Sequence, residues 1–328
     1  MPATTATASG KIILFGEHAV VYGQPAIAVP VKQVCARAVV SAAPRAPVGQ
    51  VSIQAPDIYL DTTLDRLPDT HPLVVTIRGL QTALGLQRLP ACNLRVTSTI
   101  PLAAGLGSGA AISVAILRAL STFLGYPLEA EQLSNLTYEV EKIYHGTPSG
   151  IDNTVVSYEA PVYFVRDRSI EPIYVATPFT IVIGDSGVAS STAVAVGDVR
   201  RAWQADPDRF ESLFAGAGEI ASKAKALIET GDPDALGVLM DKNHALLQQM
   251  DVSSPELERL VTAARLAGAL GAKLSGGGRG GNVIALARPG AAAKISDALL
   301  AHGAARTIVT QIDSSGLSDL GERTVDHL

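Results

Sequence analysis

Residues 93–120, NLRVTSTIPLAAGLGSGAAISVAILRAL, constrain this chain more than any other stretch. Strand-like text runs into a loop with glycine at every second position, Gly105, Gly107 and Gly109. Ile112, Ile116 and Leu120 then recur on one face of a helix that starts at about Gly107. A strand delivered through so bare a loop to an apolar helix requires a layered structure of sheet and helix. Peptide N–H groups at a helix N-terminus are unpaired and partly positive, and glycines let a ligand reach them. Phosphate is the natural ligand of such a turn. Tight helix–sheet packing is the alternative, and the glycines alone do not separate the two. The Walker pattern is absent, because no lysine follows the loop. A Rossmann turn does not fit either, because the text after this helix is another helix rather than an acid-ended strand.

The rest of the chain repeats both kinds of element. GKIILFG and AIAVPVKQVCARAVVSA read as strands, as do APVYFVRD, FTIVIGDSG and RTIVTQID. HPLVVTIRGLQTALGL and PELERLVTAARLAGAL read as helices, and EAEQLSNLTYEVEKIYHG reads as a helix capped by Gly146. Hydroxyl residues open the helix SSTAVAVGDVRRAWQ, and helical text continues to about residue 250 with a break near GDPDA. AKLSGGGRGGNVIALA is strand, glycine loop, strand, and AAAKISDALLAHG is a helix. At 328 residues with 47% hydrophobic side chains the chain is long enough for two domains. The strand sets divide best near residues 170–180, giving domains of 1–175 and 176–328.

A net charge of −5 with no basic run argues against a nucleic-acid partner. No apolar run reaches the length of a membrane span, and MPATTATASG lacks the features of a signal peptide, so a soluble cytoplasmic protein is expected. Cys35 and Cys92 are too few for a disulfide framework and read as small buried apolar residues.

Three further stretches carry chemistry. In KLSGGGRGGNVIAL five of the six residues from Gly276 to Gly281 are glycine, more than a hairpin turn needs, so backbone approach to something is expected. In SGKIILFGEHAVVYGQPAIA, Lys11 begins a strand and Glu17, His18 and Tyr22 gather in one loop. In EKIYHGTPSGIDN, Glu141 ends a helix and Asp152 follows a turn, as an N-cap, a general base or a metal ligand paired with Glu141.

Together these segments resemble the GHMP kinases, small-molecule kinases of galactose, homoserine, mevalonate and phosphomevalonate. PLAAGLGSGAA is similar to the family's P-x-x-x-G-L-G-S-S-A-A, and KLSGGGRGG to its K-[LT]-[ST]-G-x-G-x-G-G. GEHAVVYGQPAIA and HGTPSGIDN resemble the branch that acts on mevalonate, and GDSGVASST resembles the family's substrate-side loop. The resemblance covers nearly the whole chain. It implies an α+β fold of two domains, an N-terminal α/β domain and a ferredoxin-like C-terminal domain, with the active site in the cleft between them. It implies ATP and Mg²⁺ as cofactors, transfer to the mevalonate C5 hydroxyl, and a homodimer. ATP phosphates would lie on Gly105, Leu106, Gly107, Ser108, Gly109 and Ala110, with Gly277 and Gly278 closing over them. Asp152 matches the family aspartate at the acceptor hydroxyl, as base or electrostatic stabiliser, and Lys11 the lysine that pairs with it. Glu141 matches the Mg²⁺ ligand, while Glu17, His18 and Thr192 match substrate-side positions, with His18 donating a hydrogen bond.

Two positions depart from the family pattern. Gly109 replaces a serine whose hydroxyl helps to hold Mg²⁺, leaving Ser108 or water to fill the place. Ala193 stands where a basic residue often follows Thr192, and Arg279 is the residue that would compensate. The alternatives are a kinase of the same family with another acceptor, or an inactive ligand-sensing relative. Retained Lys11, Glu141 and Asp152 argue against the second.

Overall fold

The computed structural model describes residues 3–101, 104–145, 148–166, 168 and 170–314. In chain order the main elements begin with β1 (Thr4–Phe15), β2 (Ala26–Ala42), β3 (Val51–Ala55), β4 (Leu60–Thr63), α1 (Pro72–Ala83) and β5 (Cys92–Ser98). They continue with α2 (Ser108–Leu124), α3 (Ala130–His145), α4 (Ile151–Tyr158), β6 (Val162–Phe164), β7 (Glu171–Pro172) and β8 (Phe179–Asp185). The last are α5 (Thr192–Ala205), α6 (Pro207–Thr230), α7 (Pro233–Gln249), α8 (Pro255–Leu266), β9 (Gly271–Ser275), β10 (Asn282–Ala287), α9 (Ala292–Ala301) and β11 (Arg306–Ile312).

The chain forms two compact units, each drawn from separate stretches. The first takes residues up to 10, 34–102 and 107–159, and the second takes 11–33, 103–106 and 160 onward. Residues 11–33, 103–106 and 160–175 thus lie N-terminal to the expected boundary yet fold with the second unit.

In the first unit β3 pairs antiparallel with β4 and parallel with β5, and β5 pairs antiparallel with the second half of β2, Ala36↔Ser98 to Ala42↔Cys92. Strands β3 and β4 and helix α4 are not foreseen from the sequence, because each is too short for its period to stand out. Helices α1 to α4 pack on one another. The apolar face of α2, including Ile116, Leu117 and Leu120, is fully buried. Cys92 is buried, and burial pushes its thiol up to about 11, whereas Cys35 is half-buried rather than a core residue. The expected cap Gly146 lies outside the described residues.

In the second unit β6 pairs antiparallel with the first half of β2 and with β7. A four-stranded antiparallel sheet follows in the order β11-β8-β10-β9. With α8 and α9 packed on it, this is a β-α-β-β-α-β arrangement of the ferredoxin-like kind, in which β8 carries extra helices before β9. The helical text from 192 to 250 breaks twice, not once. Asp206 leaves the helical region at φ −143° and ψ 74°, and Pro207 begins α6. Ser191, Asp232 and Ser254 cap α5, α7 and α8 through their side chains. No helix among the described residues is long and apolar enough to cross a membrane.

Candidate active site

In the first unit the site begins at α2. Gly107 takes the N-cap position in the left-handed region, φ 71°, and no side chain caps the helix. No acid lies in the first turn. The first N–H groups of a 17-residue helix are therefore left without a capping side chain, as an anion site requires. Ser108 is the first helical residue, with Gly109 and Ala110 after it. The Gly109 carbonyl accepts a hydrogen bond from Ser113 Oγ at 3.0 Å. Preceding them in the chain, Gly105 and Leu106 fold with the second unit, where the Lys11 N–H donates to the Leu106 carbonyl at 3.0 Å. Gly105 has φ 72°, and among the described residues a Cβ there would meet only Asn282 Nδ2, at 3.8 Å. Among the described residues nothing crowds that glycine, and its left-handed backbone is what requires it.

Helix α3 carries Glu141 one turn before its end, 3% exposed, and α3 packs on both α2 and α4. Asp152 is the second residue of α4, half-buried. The N-cap reading of Asp152 is corrected, because Gly150 holds that position with φ 94°. Asn153 Nδ2 fixes α4 to α3 by donating to Ser134 Oγ at 2.9 Å and to its carbonyl at 3.2 Å. Among the described residues no three His, Cys, Asp or Glu side chains gather to hold a metal.

In the second unit the polar loop after β1 is buried rather than solvated. Glu17 is 1% exposed and His18 5%. The Ala19 N–H donates to the Glu17 carbonyl at 2.7 Å across His18, whose φ and ψ are 61° and −49°. That is a γ-turn of the rare, strained hand, which costs on the order of 1–3 kcal/mol and persists only where its surroundings hold it. His18 Nε2 lies 3.0 Å from the Gly277 carbonyl oxygen. A carbonyl only accepts, so Nε2 carries the hydrogen. Burial pushes the imidazole down to about 4, so the ring is neutral and Nδ1 is a bare acceptor. Nδ1 is buried with no partner among the described residues. The expected donor role of His18 is thus corrected, because the free nitrogen accepts and suits a hydroxyl rather than a carboxylate. Tyr22 is half-buried, with its ring stacked on Phe214 at 4.1 Å between centroids.

Glu17 meets a partner that the sequence reading does not single out. Lys273 of β9, fully buried, donates to Glu17 Oε1 and to the Leu274 carbonyl at 2.8 Å. Burial raises the Glu17 carboxyl above its ordinary value and lowers the Lys273 ammonium, and their mutual attraction opposes both changes. A lone lysine inside GAKLS, text otherwise fit for a core strand, is the signal that could have exposed it. Asn282 is a second such residue, buried and donating to the Ala104 carbonyl.

The glycine loop from Gly276 to Gly281 approaches its own chain. A Cβ on Gly278 would stand 1.9 Å from the Val252 carbonyl oxygen, and one on Gly280 2.5 Å from that of Val188. Gly277 lies against Thr192, whose Cα and Oγ1 would each be 3.1 Å from such a Cβ. Thr192 itself is exposed at the first position of α5. Only Gly276 and Gly281 combine a left-handed backbone with open space. Ser190 Oγ donates to the Gly278 carbonyl at 2.5 Å, tying the GDSGVASST loop to this one. Arg279 is also committed. Its guanidinium pairs with Asp198 and donates from Nε and Nη2 to the Asp251 carbonyl at 3.2 and 3.1 Å, so it anchors the loop rather than standing in for a base at 193.

The sequence profile of the GHMP kinases N terminal domain matches residues 73–160, and that of the GHMP kinases C terminal matches residues 224–305. A mevalonate kinase of Pyrococcus horikoshii is 34% identical over 327 residues, covering 95% of this chain and 96% of the relative. One of Aeropyrum pernix is 36% identical over 293 residues, covering 88% and 90%. The crystal structure of L. major mevalonate kinase in complex with R-mevalonate superposes with a TM-score of 0.81 at 31% identity, covering 95% of this chain and 96% of that one.

Proposed function

Because the chain belongs to the GHMP kinases, and to the mevalonate kinases among them, we infer that it transfers the γ-phosphoryl group of ATP to the C5 hydroxyl of mevalonate, giving 5-phosphomevalonate and ADP. The observation that carries this reading is the uncapped N-terminus of α2, preceded by the uncrowded Gly105. Backbone N–H groups from Gly107 to Ala110 would cradle phosphate oxygens there. Gly276 and Gly281, open and left-handed, are the parts of the second glycine loop with room for a phosphate.

Phosphoryl transfer passes through a loose transition state, so positioning and charge stabilisation carry most of the catalysis. In this reading Asp152 accepts the proton of the C5 hydroxyl or stabilises its alignment, and Lys11 offsets negative charge as the bond to the leaving phosphate lengthens. Glu141 and the Ser108 hydroxyl would hold Mg²⁺, which when bound neutralises charge on the β- and γ-phosphates. His18 Nδ1 would accept a hydrogen bond from a mevalonate hydroxyl, and Thr192 would line the substrate side.

Two experiments test the reading. ADP release is measured with mevalonate, phosphomevalonate, galactose and homoserine in turn, and turnover is expected with mevalonate. Comparable turnover with another acceptor, or none with mevalonate, contradicts it. Asp152→Asn is expected to lower kcat by about 10²–10⁴ with folding intact. An active Asp152→Asn enzyme would remove Asp152 from the mechanism.

A further inference from the structure

We propose that Lys273 is a positioning residue for this reaction: its buried ion pair with Glu17 holds the His18 γ-turn against the first half of the glycine loop. The proposal rests on the reading above, which gives the His18 turn its substrate. Residues 13–18 and 273–277 are joined three times. Ser275 Oγ donates to the Ile13 carbonyl at 2.7 Å, Lys273 Nζ to Glu17 Oε1, and His18 Nε2 to the Gly277 carbonyl at 3.0 Å. The second half of the glycine loop is held elsewhere, with the Arg279 N–H on the Val252 carbonyl at 2.7 Å and the Gly281 N–H on that of Val188 at 3.0 Å. The three bonds therefore set where the loop leaves β9.

The turn cannot be held by contact alone. From behind, Gly16 is pressed so closely on the start of β2 that a Cβ would stand 2.6 Å from the Ala26 Cα. That contact stops the turn from retreating but exerts no pull towards the loop. The pull comes from Lys273, which is seated in β9 through its bond to the Leu274 carbonyl, while the Leu274 N–H donates to His244 Nδ1 at 3.3 Å. Lys273 has no exposed surface and cannot meet substrate, so it acts only through Glu17. A buried ion pair gains little stability over apolar residues of the same shape, and its attested use is to fix one arrangement among several. Here the arrangement is the strained turn that turns Nε2 to Gly277 and leaves Nδ1 free.

The test uses the full chain. ¹⁵N NMR of the wild-type His18 ring without substrate is expected to show the neutral Nε2–H tautomer at pH 7, and a charged ring or the Nδ1–H tautomer overturns the proposal. Glu17→Gln combined with Lys273→Met removes both charges and strands neither. This double variant is expected to fold, to raise KM for mevalonate about ten-fold or more while KM for ATP stays within about two-fold, and to show mixed His18 tautomers. A wild-type KM and a wild-type His18 spectrum in the double variant overturn the proposal, and a lower melting temperature with both unchanged reduces the pair to a structural role. If the double variant does not fold, the wild-type spectrum decides. If the wild type does not phosphorylate mevalonate, the functional reading fails, and the comparison of His18 spectra still decides the role of Lys273.

Discussion

At the scale of single residues, His18 shows how burial decides chemistry that residue type leaves open. Its imidazole is held at about 4 by burial, below the unfolded value of about 6.5. The unfolded chain therefore binds this proton at higher pH than the folded one. The stability at stake is complete above about pH 6.5 and is lost as pH falls towards 4, by up to about 1.4 kcal/mol for each pH unit in that window. Melting temperatures at pH 7 and pH 5 are expected to differ less in His18→Gln than in the wild type, and an equal difference would remove His18 as the cause. Gly109 is the other residue with a sharp consequence. It sits in the first turn of α2 with a helical backbone, so serine meets no left-handed backbone penalty there. Gly109→Ser is expected to lower the Mg²⁺ concentration needed for half-maximal turnover, and an unchanged or weakened dependence counts against Mg²⁺ at this position. Glu17 and His18 stand out in the sequence as polar residues crowded into one loop. Their burial and their partners at Lys273 and Gly277 do not, because those contacts join residues some 260 positions apart, 256 in one case and 259 in the other.

At the scale of elements, the glycine loop is legible as a loop but not as an object with two kinds of glycine. Local sequence shows that five glycines exceed the needs of a hairpin turn, while the carbonyls of Val188 and Val252 that account for two of them lie on distant segments. The distinction is measurable. Gly278→Ala forces a Cβ onto the Val252 oxygen at a left-handed position and is expected to cost about 3 kcal/mol or more. Gly276→Ala meets no neighbour and is expected to cost about 1–2 kcal/mol, the backbone term alone. Denaturant unfolding of the two variants checks this, and equal losses would contradict the assigned contacts. Helix α4 shows the same limit of local reading. Eight residues do not display a helical period, so Asp152 reads as a cap as readily as a catalytic acid, although the left-handed Gly150 before it starts the helix.

For the whole molecule, the alternation of strand and helix text and the three glycine-bearing motifs suffice for the fold class and for the family, because both depend on patterns repeated along the chain. The compact units are less legible. Residues 11–33 are separated from most of their unit by residues 34–102 and 107–159, which fold with the first unit, and only packing joins them. The central claim is that this molecule delivers phosphate to one hydroxyl of mevalonate, and ³¹P NMR of the purified reaction product tests it most directly. The expected product shows one phosphomonoester signal split by the C5 methylene protons. A phosphomonoester signal with no proton splitting, as phosphate on the tertiary C3 oxygen would give, or no phosphomonoester at all, would contradict the claim.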